Sequence, residues 1–194
     1  MKPDTHEPGR REQMVLLLKK AGWYEGRRED ISGFERRCKE AGIDLFDSAK
    51  AFLQEFSGID DSVYFKYHPD EPDCRFADDW HDYTFNFIPD ALAEISRPED
   101  YRTIVSFAGE DCFCLGESGY YYPAVVAIGR SGKLYFKHDY EDTVRVFDTL
   151  LDSMEHELDG HDLVIPTLYE KNEVLLPTLW GKRVFPVKRP NPFV

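Results

Sequence analysis

The stretch LFDSAKAFLQEFSG, residues 45–58, decides which fold is predicted for this chain. Its apolar side chains recur at helical spacing and form a wide stripe, and the glycine at its end is a typical helix stop. The next stretch, residues 62–67, is rich in aromatic residues and alternates partly with polar ones, which is typical of a β-strand. A helix with one broad apolar face, placed directly before a strand, predicts helices packed against a sheet. The stripe consists of Leu45, Phe46, Ala49, Phe52, Leu53 and Phe56.

Two shorter helices are predicted before this stretch, because apolar residues fall on one helical face in each. Asp30 and Asp44 stand where the N-caps of the second and third helices are expected. The apolar faces are formed by Met14, Leu17, Leu18 and Ala21 in the first helix and by Phe34, Cys38 and Ala41 in the second.

After the third helix the pattern changes to strands, predicted at residues 62–67, 82–87, 112–115, 123–128 and 133–137. A fourth helix opens at Pro98, and a fifth is predicted to carry Val144, Phe147, Leu151 and Met154. Helices followed by hairpin-connected strands predict an α+β fold. We therefore expect a single domain with its helices against one face of one twisted, mostly antiparallel sheet.

The predicted sheet core is covered by the helical residues Phe46, Leu53 and Phe56. Prolines interrupt the chain after the fifth predicted helix. The single domain is expected to span residues 1–194, with residues 156–194 as a proline-broken C-terminal extension that wraps the body. The sheet core is predicted at Phe85, Val125, Ala127, Leu134 and Phe136.

Composition and charge exclude several classes of protein. Of the 194 residues, 42% are hydrophobic and 14% aromatic, which is too apolar for a disordered chain. The net charge of −13 argues against binding to a phosphate backbone, so direct nucleic-acid binding is not expected. No apolar run approaches the ~20 residues that span a membrane, and the first residues lack the apolar core of a signal peptide. We expect a cytoplasmic protein, a monomer or weak homodimer, without a membrane partner.

Motifs for catalysis, metals and cofactors are not found in the sequence. There is no nucleophile elbow, no phosphate-binding glycine loop and no zinc-protease histidine pair. The six histidines are expected at the surface, and the four cysteines as reduced, mostly buried thiols, with Cys112 and Cys114 on one face of a strand. The cluster at residues 78–82 has the residue types of a site, but a polar loop is the favoured interpretation. We therefore predict no enzyme, no cofactor and no metal.

Acidic residues are concentrated in the middle of the chain, where residues 60–100 contain twelve acids and three bases, a net charge of −9. Such a stretch is typical either of a solvated surface or of a docking surface for a basic partner. In the second case, the electrostatic field of the acids accelerates the approach of the partner. If it is a docking surface, Trp80 is a candidate aromatic anchor. The predicted partner-binding residues are Asp60, Asp61, Asp70, Glu71, Asp73, Asp78, Asp79, Trp80 and Asp82.

Four segments resemble those of a known family. They are GWYEGRR at 22–28, EAG at 40–42, the helix at 45–58, and AIG with GKLY at 127–129 and 132–135. In this combination the chain resembles the SUKH superfamily of bacterial immunity proteins, specifically its third group, over about residues 11–155. From the residues alone, Trp23 is expected to be buried where helices meet the sheet, and Arg27 or Arg28 to bind carbonyls or an acid.

The resemblance implies a non-enzymatic protein that binds and neutralises a cognate toxin of a polymorphic toxin system, often a nuclease or deaminase. The acidic charge agrees with a basic, nucleic-acid-targeting toxin as partner. Two other functions stay open at this point: a general protein-interaction module, and an undetected hydrolase or metal enzyme built around residues 78–82 and His138.

Overall fold

The computed structural model describes residues 9–67, 81–87, 97–160, 163–164, 173–178 and 181–186. The helices are α1 (Arg10–Lys20), α2 (Ser32–Glu40), α3 (Asp47–Phe56), α4 (Pro98–Ala108) and α5 (Leu150–Glu157). The strands are β1 (Ile59–Tyr67), β2 (His81–Phe87), β3 (Cys112–Tyr120), β4 (Ala124–Gly129), β5 (Leu134–Lys137), β6 (Arg145–Phe147), β7 (Leu163–Val164), β8 (Glu173–Thr178) and β9 (Gly181–Pro186).

Seven strands form one sheet in the order β6-β5-β4-β3-β2-β1-β7, and every neighbouring pair is antiparallel. Strands β8 and β9 form a separate antiparallel pair. The predicted α+β fold with a mostly antiparallel sheet is confirmed. The predicted wrapping of the C-terminal extension stays a prediction, because much of it lies outside the described residues.

One face of the sheet, here called the front, packs against α1, α2, α3 and α5. Of the stripe predicted for α3, Phe56 is half-buried and the other residues are buried here, and the ring centroid of Phe52 lies 5.2 Å from that of Phe87 on β2. Phe34 of α2 makes an edge contact with Phe113 of β3 at 6.2 Å. Gly58, with φ of 76°, ends α3 as predicted.

The opposite face, here called the back, packs against α4. Ile104 of α4 is fully buried against Val125 and Ala127 of β4 and Tyr135 of β5. The expectation that all helices lie on one face is therefore wrong. All five predicted sheet-core residues are buried, but Val125 and Ala127 face α4 rather than the helices of the front, because successive strand residues point to opposite faces.

Three local predictions also need correction. The fifth helix begins only at Leu150, since Phe147 belongs to β6 and Val144 lies before that strand. Asp44 does not cap α3; its carboxylate is bonded to Arg130 instead. The N-cap of α2 is Ile31 rather than Asp30, which lies one residue earlier and accepts a 2.9 Å hydrogen bond at its Oδ1 from the backbone N–H of Ser32.

A bulge in β3 decides which residues face the back. The register with β4 shifts between Cys114 and Gly116. Before the shift, Cys112 and Cys114 both contact the α4 layer, as predicted from their spacing. After it, Glu117 pairs with Val125 and so lies on the back, while Ser118 pairs with Ala124 in the front layer.

Candidate functional site

The predicted partner-binding residues are only partly within the described chain. Asp60 and Asp61 lie on β1 and Asp82 lies on β2. Asp70, Glu71, Asp73, Asp78, Asp79 and Trp80 lie outside the described residues.

Asp60 and Asp82 share one face of the sheet. Asp60 pairs with Asn86, whereas Asp82 pairs with Tyr64, four residues further along β1. Because a strand rises about 3.3 Å per residue, the two acids are roughly 13 Å apart along the sheet. Since Asn86 pairs with Glu117, this is the back of the sheet, beside α4. We call the alternate residues on this face the β1–β2 strip: Asp60, Ser62, Tyr64, Lys66, Asp82, Thr84 and Asn86.

The environments of the two acids differ. Asp60 is exposed, whereas Asp82 is half-buried. Burial raises the pKa of Asp82, and a weak 3.4 Å hydrogen bond from Thr84 Oγ1 opposes that shift. Thr84 is also hydrogen-bonded across the strands to Ser62, with 3.0 Å between the hydroxyl oxygens. Asp60 therefore offers a solvated charge, and Asp82 a charge anchored in the sheet.

Arg97 marks the boundary between the β1–β2 strip and α4. It lies immediately before α4 and forms ion pairs of 3.5 Å with Asp100 and with Glu117. It also donates a 2.6 Å hydrogen bond to the carbonyl of Pro123. This cation is therefore held by internal partners where the strip meets the helix.

Two histidines are buried, contrary to the expectation that all six are at the surface. His81 is 2% exposed on the front, and its Nδ1 lies 2.8 Å from Tyr121 Oη and 3.0 Å from Tyr120 Oη. His81 follows the alternation of β2, in which every second residue is buried. That alternation was present in the sequence HDYTFNF and could have predicted the burial. Asp82 points to the back. His81 and Asp82, which are neighbours in the cluster at residues 78–82, therefore face opposite sides of the sheet.

His138 is the second buried histidine, with 1% exposure directly after β5. Its Nε2 lies 3.1 Å from Glu157 Oε1 on α5. The other oxygen of Glu157 accepts a 3.0 Å hydrogen bond from the backbone N–H of Tyr120. These contacts tie α5 to the ends of β3 and β5.

The same end of the sheet also presents tyrosines to solvent. Tyr121 and Tyr122 follow β3 and are 55% and 66% exposed, and Tyr140 follows β5 and is 59% exposed. The ring centroids of Tyr122 and Tyr140 are 6.0 Å apart. This grouping is not visible in the sequence, because the tyrosines meet only when β3, β4 and β5 pair.

The described residues offer little chemistry for catalysis. Among them, no group of three or more histidine, cysteine or acidic side chains could hold a metal ion. Cys38, Cys112 and Cys114 are free thiols. Burial raises the pKa of both Cys112 and Cys114 to about 11, which makes them poor nucleophiles at neutral pH.

A cleft of about 410 Å³ opens on the front layer, between α1, α3 and α5. Its walls are mainly apolar and include Trp23, Phe56 and Leu151. Trp23 Nε1 donates a 3.0 Å hydrogen bond to Glu55 Oε1, and Arg27 donates to the carbonyls of Glu55 and Ser57 at 2.6 and 2.7 Å. The expectation that Arg27 fixes its loop through carbonyls is confirmed.

These observations define an α+β protein with acidic side chains on the back of its sheet and exposed tyrosines at one end of the sheet. The family model of the SUKH-3 immunity protein matches residues 11–153. The chain therefore belongs to the SUKH-3 immunity protein family, which confirms the resemblance seen in the sequence. Membership gives the class of function, immunity to a toxin through binding it, in a family whose members are generally not enzymes.

The other comparisons add no relatives. No curated protein and no solved structure matches the chain. Among the helices that the structure describes, none has the length and apolarity needed to cross a membrane.

Proposed function

We propose that this protein neutralises a basic, nucleic-acid-targeting toxin of a bacterial polymorphic toxin system by binding it stoichiometrically. The observation that carries the proposal is the charge of −9 in residues 60–100 of a chain that belongs to an immunity family. A toxin domain that binds nucleic acid needs a basic surface, so an acidic inhibitor both attracts it and competes for that surface.

The acidic site proposed for this contact includes residues of the β1–β2 strip. Asp60 and Asp82 share the back face, whereas Asp61 pairs with Phe85 and so takes the alternate, front register position on β1. The proposal extends along the chain to Asp70, Glu71, Asp73, Asp78, Asp79 and Trp80. Acids of this kind mainly increase the rate of encounter, because they act at a distance before the surfaces meet.

The test is binding to the toxin domain encoded beside the gene in its native genome. We expect the purified parent protein to bind this domain at one to one and to suppress its toxicity in cells. Absence of both binding and protection would contradict the proposed function. Equal binding to many unrelated basic proteins would instead support a general interaction module.

The acidic site is tested by charge reversal with a matched control. The double variant Asp78→Lys/Asp79→Lys is compared with Glu25→Lys/Glu40→Lys, which changes the net charge equally at exposed positions distant in sequence from the acidic site. We expect the first to lower the association rate about tenfold or more at low salt and to flatten its salt dependence. An equal decrease in both variants would show that only net charge matters.

A further inference from the structure

The end of the sheet where β3 and β5 finish carries a surface of exposed aromatic rings. We call it the tyrosine patch and define it by Tyr121, Tyr122, Tyr140, Asp139 and Asp142. Exposed rings of this size are costly to leave in water, and when they are clustered they mark interaction sites. Tyrosine is also among the residues enriched at protein interfaces and their hot spots.

Buried groups hold the exposed rings of the patch in place. The hydroxyl of Tyr121 lies 2.8 Å from Nδ1 of the buried His81. The backbone N–H of Tyr122 donates a 2.7 Å hydrogen bond to the carbonyl of Tyr120. The ring of Tyr140 packs on that of buried His138, with centroids 4.9 Å apart. A surface ordered before binding loses little conformational entropy when a partner docks.

The charges around the rings are arranged with acids outward and cations inward. Asp139 and Asp142 flank Tyr140, are exposed, and form no ion pair within the described part of the chain. The nearby cations have internal partners. Lys137 is buried and donates to the carbonyls of His138 and Glu141, and Arg145 is paired with the Glu141 carboxylate.

From this arrangement we propose that the tyrosine patch anchors a basic protein segment, with an arginine or lysine side chain packed on the exposed faces of Tyr122 and Tyr140. The carboxylates of Asp139 and Asp142 then lie beside the bound cation. Cations are attracted to the faces of aromatic rings, and nearby acids strengthen the attraction. The inference rests on the proposed function, because the occupant is the basic toxin.

The patch and the acidic site of residues 60–82 have different kinetic roles. Distant acids change the association rate, whereas aromatic anchors in close contact determine how slowly a complex dissociates. The patch therefore supplies an anchor in addition to the predicted Trp80.

The first test measures dissociation of the toxin domain encoded beside the gene. We expect Tyr122→Ala/Tyr140→Ala to increase the dissociation rate about 30-fold or more, as for an interface hot spot. Tyr122→Phe/Tyr140→Phe keeps both rings and should stay within about threefold of the parent. The matched control is Phe107→Ala on α4, which removes a ring that is 57% exposed outside the patch and should leave the rate unchanged.

The outcomes separate this inference from the proposed function. A toxin that binds the parent and the tyrosine double variant with equal dissociation rates overturns the inference and leaves the proposed function intact. Circular dichroism on each variant shows whether the fold is retained.

A second probe does not depend on the toxin. Nona-arginine is titrated into isotope-labelled protein and followed by amide chemical shifts. We expect the largest shifts at Tyr121, Tyr122 and Tyr140 and their loss in Tyr122→Ala/Tyr140→Ala, with nona-glutamate producing none. Arginine-induced shifts that are absent from these residues overturn the inference even if no toxin binds.

Discussion

The front and the back of the sheet are built very differently. The front buries apolar side chains from four helices and most strands in one continuous core, which includes the rings of Phe52, Phe87 and Phe136. Among the described elements, α4 is the helix that packs on the back, where it forms a small core around Ile104. Because α4 packs on β3, β4 and β5, the back of β1 and β2 carries the polar residues of the β1–β2 strip. The difference shows that the front specifies the fold, while the back leaves sheet surface for polar groups.

The largest expected effect is at Gly116, which borders the bulge in β3, a strand that contributes side chains to both cores. Its φ is 126°, and a Cβ added there would lie 2.0 Å from the carbonyl oxygen of Asn86. We expect Gly116→Ala to destabilise the protein by about 4 kcal/mol, from backbone strain together with overpacking against β2. Urea denaturation measures this.

Gly132→Ala is the control for the Gly116 variant. Gly132 also has a positive φ, of 85°, but no atom lies within 4 Å of an added Cβ. Gly132→Ala should therefore lower the free energy of unfolding only through backbone strain, by about 1–3 kcal/mol. Equal losses in the two variants would show that the close approach to β2 is unimportant.

The next effect compares the two cores directly. We expect Phe52→Ala to cost about 3–5 kcal/mol, because it removes a buried ring from the front. Ile104→Ala should cost less, about 2–3 kcal/mol, since it removes a smaller side chain from a smaller cluster. Thermal and urea unfolding give both values, with the exposed Phe107→Ala expected within about 0.5 kcal/mol of the parent. A larger loss at Ile104 than at Phe52 would reverse the comparison.

The smallest expected effect concerns a charge at the margin of the front layer. Lys20 on α1 donates a 2.9 Å hydrogen bond to the carbonyl of Tyr64, and burial lowers its pKa from 10.5 to about 8. Between these two pH values the unfolded chain binds more protons at this site than the folded protein. The free energy of unfolding contributed by Lys20 therefore rises from pH 8 to about pH 10.5.

The measurement compares the parent with Lys20→Met by urea denaturation at several pH values. Below pH 8 the offset between the two proteins should be constant, and above it the parent should gain stability relative to the variant. Tyrosines titrate in both proteins, so they do not affect the difference. A constant offset from pH 7 to pH 10.5 would contradict the lowered pKa of Lys20.

Much of the front could be predicted from the sequence, because its signals are local. The stripe of α3 and the alternation of β2 each identify their buried residues without knowledge of the rest of the chain. The position of α4 could not be read this way, since Ile104 gives the same helical pattern whichever face it covers. Strand β6 has only three residues and resembles the start of the helix that follows it.

The candidate site was predictable only where charge alone defines it. Asp60 and Asp82 stand out as acids in the sequence, but only the register of β1 with β2 shows that both lie on one face. The tyrosine patch required the pairing of β3 with β4 and of β4 with β5, which brings Tyr122 near Tyr140. Burial of His138 depends on Glu157, a residue of a different element, so no local pattern around His138 signals it.

The strand order also has a consequence for how the chain folds during synthesis. Strands β1 to β5 each pair with the next strand in sequence, so these contacts form between segments that leave the ribosome one after another. Strand β7 is different, because its Val164 pairs with Lys66 at the far end of the sheet. Until residues 163–164 have been synthesised, the outer edge of β1 lacks that strand, and unpaired strand edges promote aggregation. Lys20 emerges before β1, so the side chain that bonds the Tyr64 carbonyl in the folded protein is already present when β1 is made, and we expect it to cover one position on β1 before β7 arrives.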